Sequence, residues 1–201
     1  MIIGIVGQIG SGKSEAAKIF AKYGGHLISA DRIGKEVVEN NPAILRKLAA
    51  IFGGQILTKG GRLRRRKLGE IAFASKENKV KLNKIIHPHL LKELARQVRL
   101  ATKSCNFVII DAALLIDWGW DKRVDYTILI KSTANVVEQR LQKRGLSIRE
   151  IRDRRESQLS PNDMKRSADF IILNNNSLES LELSVAKIIK KLCRKGLTLA
   201  I

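Results

Sequence analysis

GQIGSGKSE, residues 7–15, sits between the apolar run MIIGIV at 1–6 and a stretch in which Ala16, Ala17, Ile19, Phe20 and Tyr23 recur on one helical face. The run reads as a short buried strand and the recurrence as a helix, which Gly24 and Gly25 stop. Between them Gly7, Gly10, Gly12, Lys13 and Ser14 satisfy the pattern G-x-x-x-x-G-K-[ST]. Glycines at these places let backbone N–H groups converge on phosphate oxygens with no Cβ in the way, and the helix that follows adds the positive end of its dipole. Lys13 reaches the β- and γ-phosphates, and the Ser14 hydroxyl ligates Mg²⁺. Average residue usage yields such a match in about one chain in a hundred of this length. Its position between a first strand and a first helix makes accident rarer still. The stretch calls for a nucleoside triphosphate.

Outward from it, HLIS at 26–29 is a second short strand that ends at Ala30 and Asp31. FVII at 107–110, closed by Asp111, reads as a central parallel strand with an acid at its carboxyl end. Residues 125–130 and 170–173 are further strands, and 178–193 is a closing helix. Strands too buried to alternate, separated by helices, imply a parallel sheet covered on both faces. The expected fold is α/β: the three-layer α/β/α arrangement of P-loop NTPases around a five-stranded parallel sheet. From Arg32 to Thr102 the apolar spacing is helical, broken by glycines at 53, 54, 60 and 61, which makes the stretch an insertion between sheet strands and not an independent domain. Residues 136–158 are helical and strongly charged, with a break at Gly145.

With 201 residues, 44% of them hydrophobic, the chain can bury one sizeable core. Its apolar runs fall far short of a membrane span and its N-terminus lacks a charged lead, so a cytoplasmic location is expected. Cys105 and Cys193 have neither zinc-knuckle spacing nor the density of a disulfide framework, and are expected to be buried, reduced thiols. The 38 Lys and Arg against 19 Asp and Glu leave a formal charge of +19, which attracts any polyanion: nucleic acid, anionic lipid or a phosphorylated small molecule. Aromatic residues at 4% leave few stacking platforms for single strands, and no recognition module is visible, so no specific nucleic-acid partner is expected.

The motif binds a triphosphate without stating its fate, since GTPases, motor ATPases and small-molecule kinases share it. A kinase needs an acceptor pocket, a base at the acceptor hydroxyl and cations over the moving phosphoryl group. Asp31, after the second strand, suits such a base and equally suits a helix N-cap. Asp111 stands where a Walker-B acid would, with the same capping alternative. Arg140 and Arg144 are an i,i+4 pair, followed by Arg149, Arg152, Arg154, Arg155, Lys165 and Arg166. A solvated basic face partnered by Glu138, Glu150 and Glu156 accounts for most of these, and a closing lid with paired guanidinium groups is the other reading. RLRRRK at 62–67 is either solvent-facing or an anion clamp. His87-Pro88 reads as a packed helix-terminal turn sooner than as a ligand site.

Beyond the phosphate loop, the ordered series ISAD at 28–31, LRRRKLGEIAF at 63–73, LNKIIHPHL at 82–90, IIDAALLID at 109–117, RLQKRG at 140–145 and RRESQLSPNDMKRSADFIILNN at 154–175 resembles the dephospho-coenzyme A kinase family from end to end. The resemblance implies ATP-dependent phosphorylation of the 3′-hydroxyl of the dephospho-CoA ribose, the last step of coenzyme A synthesis, with Mg²⁺. It implies a nucleotide-binding core of residues 1–31, 106–135 and 167–201, a helical dephospho-CoA-binding region at 32–105 and a lid at 136–166. In that frame Gly7, Gln8, Ile9, Gly10, Ser11, Gly12, Lys13, Ser14 and Glu15 hold ATP, with Arg144 at its phosphates and Asn174 near the adenine side. Asp31 is the base, Lys13 and Arg140 share in catalysis, and Ser14 is the metal ligand. Arg65, His87 and Leu114 join Asp31 on the acceptor side. The partners are ATP and dephospho-CoA, with no membrane, and the protein is a monomer or small homo-oligomer.

The chain departs from the family pattern in places. Gln8 stands where a second glycine is usual, and Glu15 replaces a threonine, putting a carboxylate that suits the helix dipole near phosphates that it repels. Ser29 replaces the first acid of an Asp-x-Asp, while Ala113 and Asp117 replace a proline and a glutamate. Lys13, Ser14, Asp31, Arg140 and Arg144 are all present, so an active kinase is expected. The rivals are a nucleic-acid-stimulated P-loop ATPase and a nucleoside or nucleotide kinase with another acceptor.

Overall fold

In the computed structural model, which describes residues 1–199, five strands form one all-parallel sheet: β1 (Ile2–Val6), β2 (His26–Ser29), β3 (Val108–Asp111), β4 (Tyr126–Lys131) and β5 (Phe170–Leu173). Their order is β2-β3-β1-β4-β5, and the sheet is five-stranded and all-parallel as expected. β1 lies in the middle, which is why Ile3, Gly4, Ile5 and Val6 are all buried and the strand carries no alternation. Its neighbours are β3 on one side and β4 on the other. The chain leaves β1 toward one edge and returns later to fill the other, so a crevice opens at the carboxyl ends beside β1.

One face of the sheet is covered by α1 (Lys13–Ala21) and the closing helix, Leu178–Cys193. Ala17 and Phe20 of α1, with Leu181, Val185 and Leu192 of the closing helix, pack on Ile3, Ile5, Ile109, Ile128 and Ile130. On the other face Gly4 lies against Leu115 and Val124, and a short helix at Pro161–Arg166 packs on β4 with Met164 buried. Two more helices, Ala134–Gln142 and Ile148–Glu156, share a small apolar cluster of Val137, Leu141 and Ile151 that also receives Ile9 of the phosphate loop. A capping box between Ser147 and Glu150 starts the second of them. Cys105 and Cys193 are free as expected, but half-buried and not fully enclosed.

The chain divides into two compact units, Met1–Ser29 with the chain from Val98 on, and Ala30–Gln97. The second holds α2 (Ala30–Glu39), α3 (Pro42–Phe52), α4 (Arg65–Ala72) and most of α5 (Lys76–Ser104); the helices already described as Ala134–Gln142, Ile148–Glu156, Pro161–Arg166 and Leu178–Cys193 are α6 to α9. Its own core is Val38, Ile44, Leu48, Phe52, Ile56, Leu68 and Ala72. The Asn41 side chain accepts from the N–H groups of Ala43 and Ile44 at 3.0 and 3.2 Å, and Pro42 occupies the first helical position of α3.

One expectation is corrected here: His87-Pro88 is not a helix-terminal turn but lies inside α5, a single helix of 29 residues. An interior proline costs about 3 kcal/mol. Leu90 and Leu94, buried after it, contribute about 1.5–3 kcal/mol apiece, and Leu82, Ile85 and Ile86, partly buried, pack on the unit's core before it. Packing on both sides of the proline therefore outweighs the break. Among the described residues no helix, α5 included, is long and apolar enough to cross a membrane.

Candidate active site

The turn from β1 into α1 ends at Gly12, the N-cap of α1, with φ 91° and no side chain bonded to the first helical N–H groups. Those donors are left for a ligand. The glycines also admit the protein itself. A Cβ on Gly7 would come within 2.5 Å of the Ile130 carbonyl oxygen, and one on Gly12 would strike the Asn174 side-chain amide.

Asn174, buried just beyond β5, braces the loop from below. Its Nδ2 donates to the Ser11 carbonyl at 2.8 Å. The Ser132 hydroxyl, one residue past β4, donates to the Asn174 carbonyl at 2.6 Å and lies 3.2 Å from the same Ser11 oxygen. Arg140 of α6 completes the group, Nη1 donating to Ser132 Oγ at 3.2 Å and Nη2 to Asn174 Oδ1 at 3.4 Å. The Arg140 guanidinium is thus fixed by neutral acceptors, and no carboxylate pairs with it among the described residues. Burial first, and then the positive charge of Arg144, hold its pKa below the usual arginine value. Two cations that disfavour each other's charge at the edge of a phosphate loop favour an anion between them. Arg144 itself is exposed, in the turn after α6.

Lys13 is half-buried and Ser14 exposed in the first turn of α1, and neither side chain has a partner among the described residues. Glu15 forms an ion pair with Lys18 at 3.3 Å, so the charge that departs from the family pattern is offset on its own helix. Gln8 Nε2 donates to the Leu159 carbonyl at 3.1 Å, and the Ile9 N–H donates to Gln158 Oε1 at 2.9 Å. Asp111 is the last residue of β3, in register with Ile5 and Ser29, and buried at the carboxyl edge of the sheet. Leu114 is half-buried in the turn that follows, its carbonyl accepting from the Trp118 N–H at 3.0 Å.

In the Ala30–Gln97 unit, Asp31 is exposed and lies inside the first turn of α2, which begins at Ala30; it is not the cap that the sequence left open. Arg65 opens α4 and directs Nε and Nη2 at one oxygen of Glu39, at 3.0 and 2.6 Å. His87 is half-buried in α5. Sequence reasoning gave no role to Ser132 or Gln158. The only signal for Gln158 was its place in the quoted segment 154–175, and Ser132 had none.

A central phosphate loop with uncapped amides, a parallel sheet in the order β2-β3-β1-β4-β5 and arginine-bearing helices after β4 define a P-loop kinase. Residues 1–180 match the family profile of dephospho-CoA kinase, and the chain belongs to that family. It is 35% identical over 194 residues to a dephospho-CoA kinase of Thermobifida fusca, covering 96% of both chains. Among solved structures it resembles the dephospho-CoA kinase of Campylobacter jejuni, with a TM-score of 0.72, 26% identity and coverage of 96% of this chain and 98% of that one. A shikimate kinase of Acinetobacter baumannii shares the fold alone, with a TM-score of 0.57 at 15% identity, covering 98% of this chain and 95% of that one.

Proposed function

We infer that this protein phosphorylates dephospho-CoA at the 3′-hydroxyl of its ribose, with ATP as donor, giving coenzyme A and ADP in the last step of coenzyme A synthesis. The observation that carries the inference is the family match over residues 1–180. The α1 amides and Lys13 bind the β- and γ-phosphates, and Arg140 and Arg144 offset the charge that develops on the moving phosphoryl group. Asp31 takes the proton of the 3′-hydroxyl as its oxygen bonds to phosphorus and the bond to the ADP oxygen breaks. Arg65, His87 and Leu114 bind the acceptor, within a helical region at 32–105, and residues 136–166 act as the lid that excludes water.

The residues present fit Mg²⁺. Ser14 offers an exposed, unpartnered hydroxyl oxygen at the start of α1, the kind of single protein ligand that Mg²⁺ takes beside substrate phosphates. Ser14 would hold it, and bound there it neutralises charge on the β- and γ-phosphoryl oxygens. The enzyme works in the cytoplasm as a monomer or small homo-oligomer, and its charge of +19 serves phosphorylated substrates without a specific nucleic acid. The test is ADP release with dephospho-CoA set against nucleosides, mononucleotides and DNA or RNA, with mass analysis of the product. Release that depends on dephospho-CoA and a product heavier by one phosphoryl group are expected. Equal release with another acceptor, or hydrolysis stimulated by nucleic acid, would overturn the reading.

A further inference from the structure

Two hydrogen bonds, both donated by the phosphate loop, join it to the chain leaving α7: Gln8 Nε2 to Leu159 O at 3.1 Å, and Ile9 N to Gln158 Oε1 at 2.9 Å. Ile9 also packs against Val137, Leu141 and Ile151. The position of α7 is therefore set by the loop through polar and apolar contact together. A glycine at position 8, the usual family residue, has no side chain for the first bond. Beside Gln8 opens a cavity of about 530 Å³, bounded by Glu138, Arg152, Arg155, Glu156 and Gln158 among others. Neither arginine forms an ion pair with either glutamate. The Arg155 Nε is shielded from solvent and has no acceptor, a state that an incoming anion relieves.

We propose that Arg155 binds the terminal phosphoryl group of the nucleotide held by the phosphate loop, and that Gln8 is the positioning residue that keeps α7, and Arg155 with it, at the loop; the assignment rests on reading the loop as the ATP site. A guanidinium presents a planar fork of donors, and phosphoryl oxygens are the acceptors that match it. Arg140 is anchored at the Ser11 end of the loop, whereas Arg155 lines the cavity at the Gln8 end, so the two arginines serve different parts of the phosphate chain.

The test is equilibrium binding of β,γ-imido-ATP and of ADP to the full chain, with no acceptor present, so it stands even if dephospho-CoA proves not to be the substrate. Arg155→Gln should weaken the triphosphate about tenfold, as loss of a charge-assisted bond does, while ADP affinity, which doubles as the control for folding, stays within about twofold. Arg155→Lys should recover part of the loss. Gln8→Gly should give a smaller loss in the same direction, and the double variant should be no worse than Arg155→Gln alone, since the two act as one unit. Parallel losses for both nucleotides, or additive effects, overturn the proposal. So does intact discrimination between the nucleotides with a raised KM for dephospho-CoA, which would assign Arg155 to the acceptor's diphosphate.

Discussion

The surroundings of the phosphate loop and the helical unit hold their polar groups in opposite ways. At the loop, Asn174 is 6% exposed and its amide, Ser132 and Arg140 are bonded to one another and to the Ser11 backbone. That arrangement forms as the chain folds and leaves little to reorganise when phosphate arrives. In the Ala30–Gln97 unit Asp31 is exposed, and Arg65 is held by a single carboxylate, Glu39, whose side chain is 52% exposed. Exposed ion pairs contribute about 0–1 kcal/mol. Another anion can therefore replace Glu39 on Arg65 at small cost, whereas nothing replaces Asn174 cheaply. The surroundings of the loop are preorganised, and the ion pair of Arg65 is exchangeable.

The largest effect that divides the two regions is expected from Asp31→Asn. Turnover should fall by about 10²–10⁴, the span of a general base, with ATP affinity unchanged because no part of the loop's bracing is touched. Weaker ATP binding in this variant would break the division. Next comes Asn174→Ala, which removes a donor from the buried Ser11 carbonyl and an acceptor from Arg140. It should cost about 1–3 kcal/mol of stability and raise KM for ATP about tenfold, leaving KM for dephospho-CoA alone; thermal melting and steady-state kinetics read both. Arg65→Ala should do the reverse, raising KM for dephospho-CoA about tenfold, the worth of a charged hydrogen bond, with a melting temperature close to that of the parent.

Most of the nucleotide half was legible because its signals are local. Gly7 to Ser14 are contiguous, and β1, β3 and β4 announce themselves as apolar runs closed by polar residues. What escaped depends on chain that meets only after folding. Asn174 reads as a residue past a last strand, and nothing local says that its amide fills the space that glycine leaves at position 12. Ser132 and Gln158 reach the loop from 121 and 149 residues away. The Pro88 error has a different source: a local rule about proline lost to tertiary packing, since Leu82, Ile85 and Ile86 of the same helix pack on a core built from α2, α3 and α4. Asp31 shows the converse. Its helix starts one residue earlier than the sequence suggested, which takes the carboxylate out of the capping position that was its rival reading.

The smallest effect tests the claim that charges in the helical unit are weakly held. Glu93 on α5 accepts from Arg96 at 2.6 and 2.8 Å and from Gln97 at 3.0 Å. Arg96 first, and Gln97 second, pull its pKa from 4.5 down to about 2. A carboxylate lowered on folding contributes stability that is fully present above pH 4.5 and is lost as the pH falls through about 2. Because the Arg96 side chain is half exposed, solvent screening limits that contribution to about 0.3–1 kcal/mol. Glu93→Gln should therefore lower the unfolding free energy by that amount at pH 7, with a difference from the parent that holds to about pH 4.5 and vanishes near pH 2. Urea unfolding of both proteins across the range reads it, and titrations common to the two cancel in the difference. A difference that survives at pH 2 would mean that the side chain acts through its packed stem, and a difference of several kcal/mol would place a rigid charge in the half of the molecule that is otherwise exchangeable.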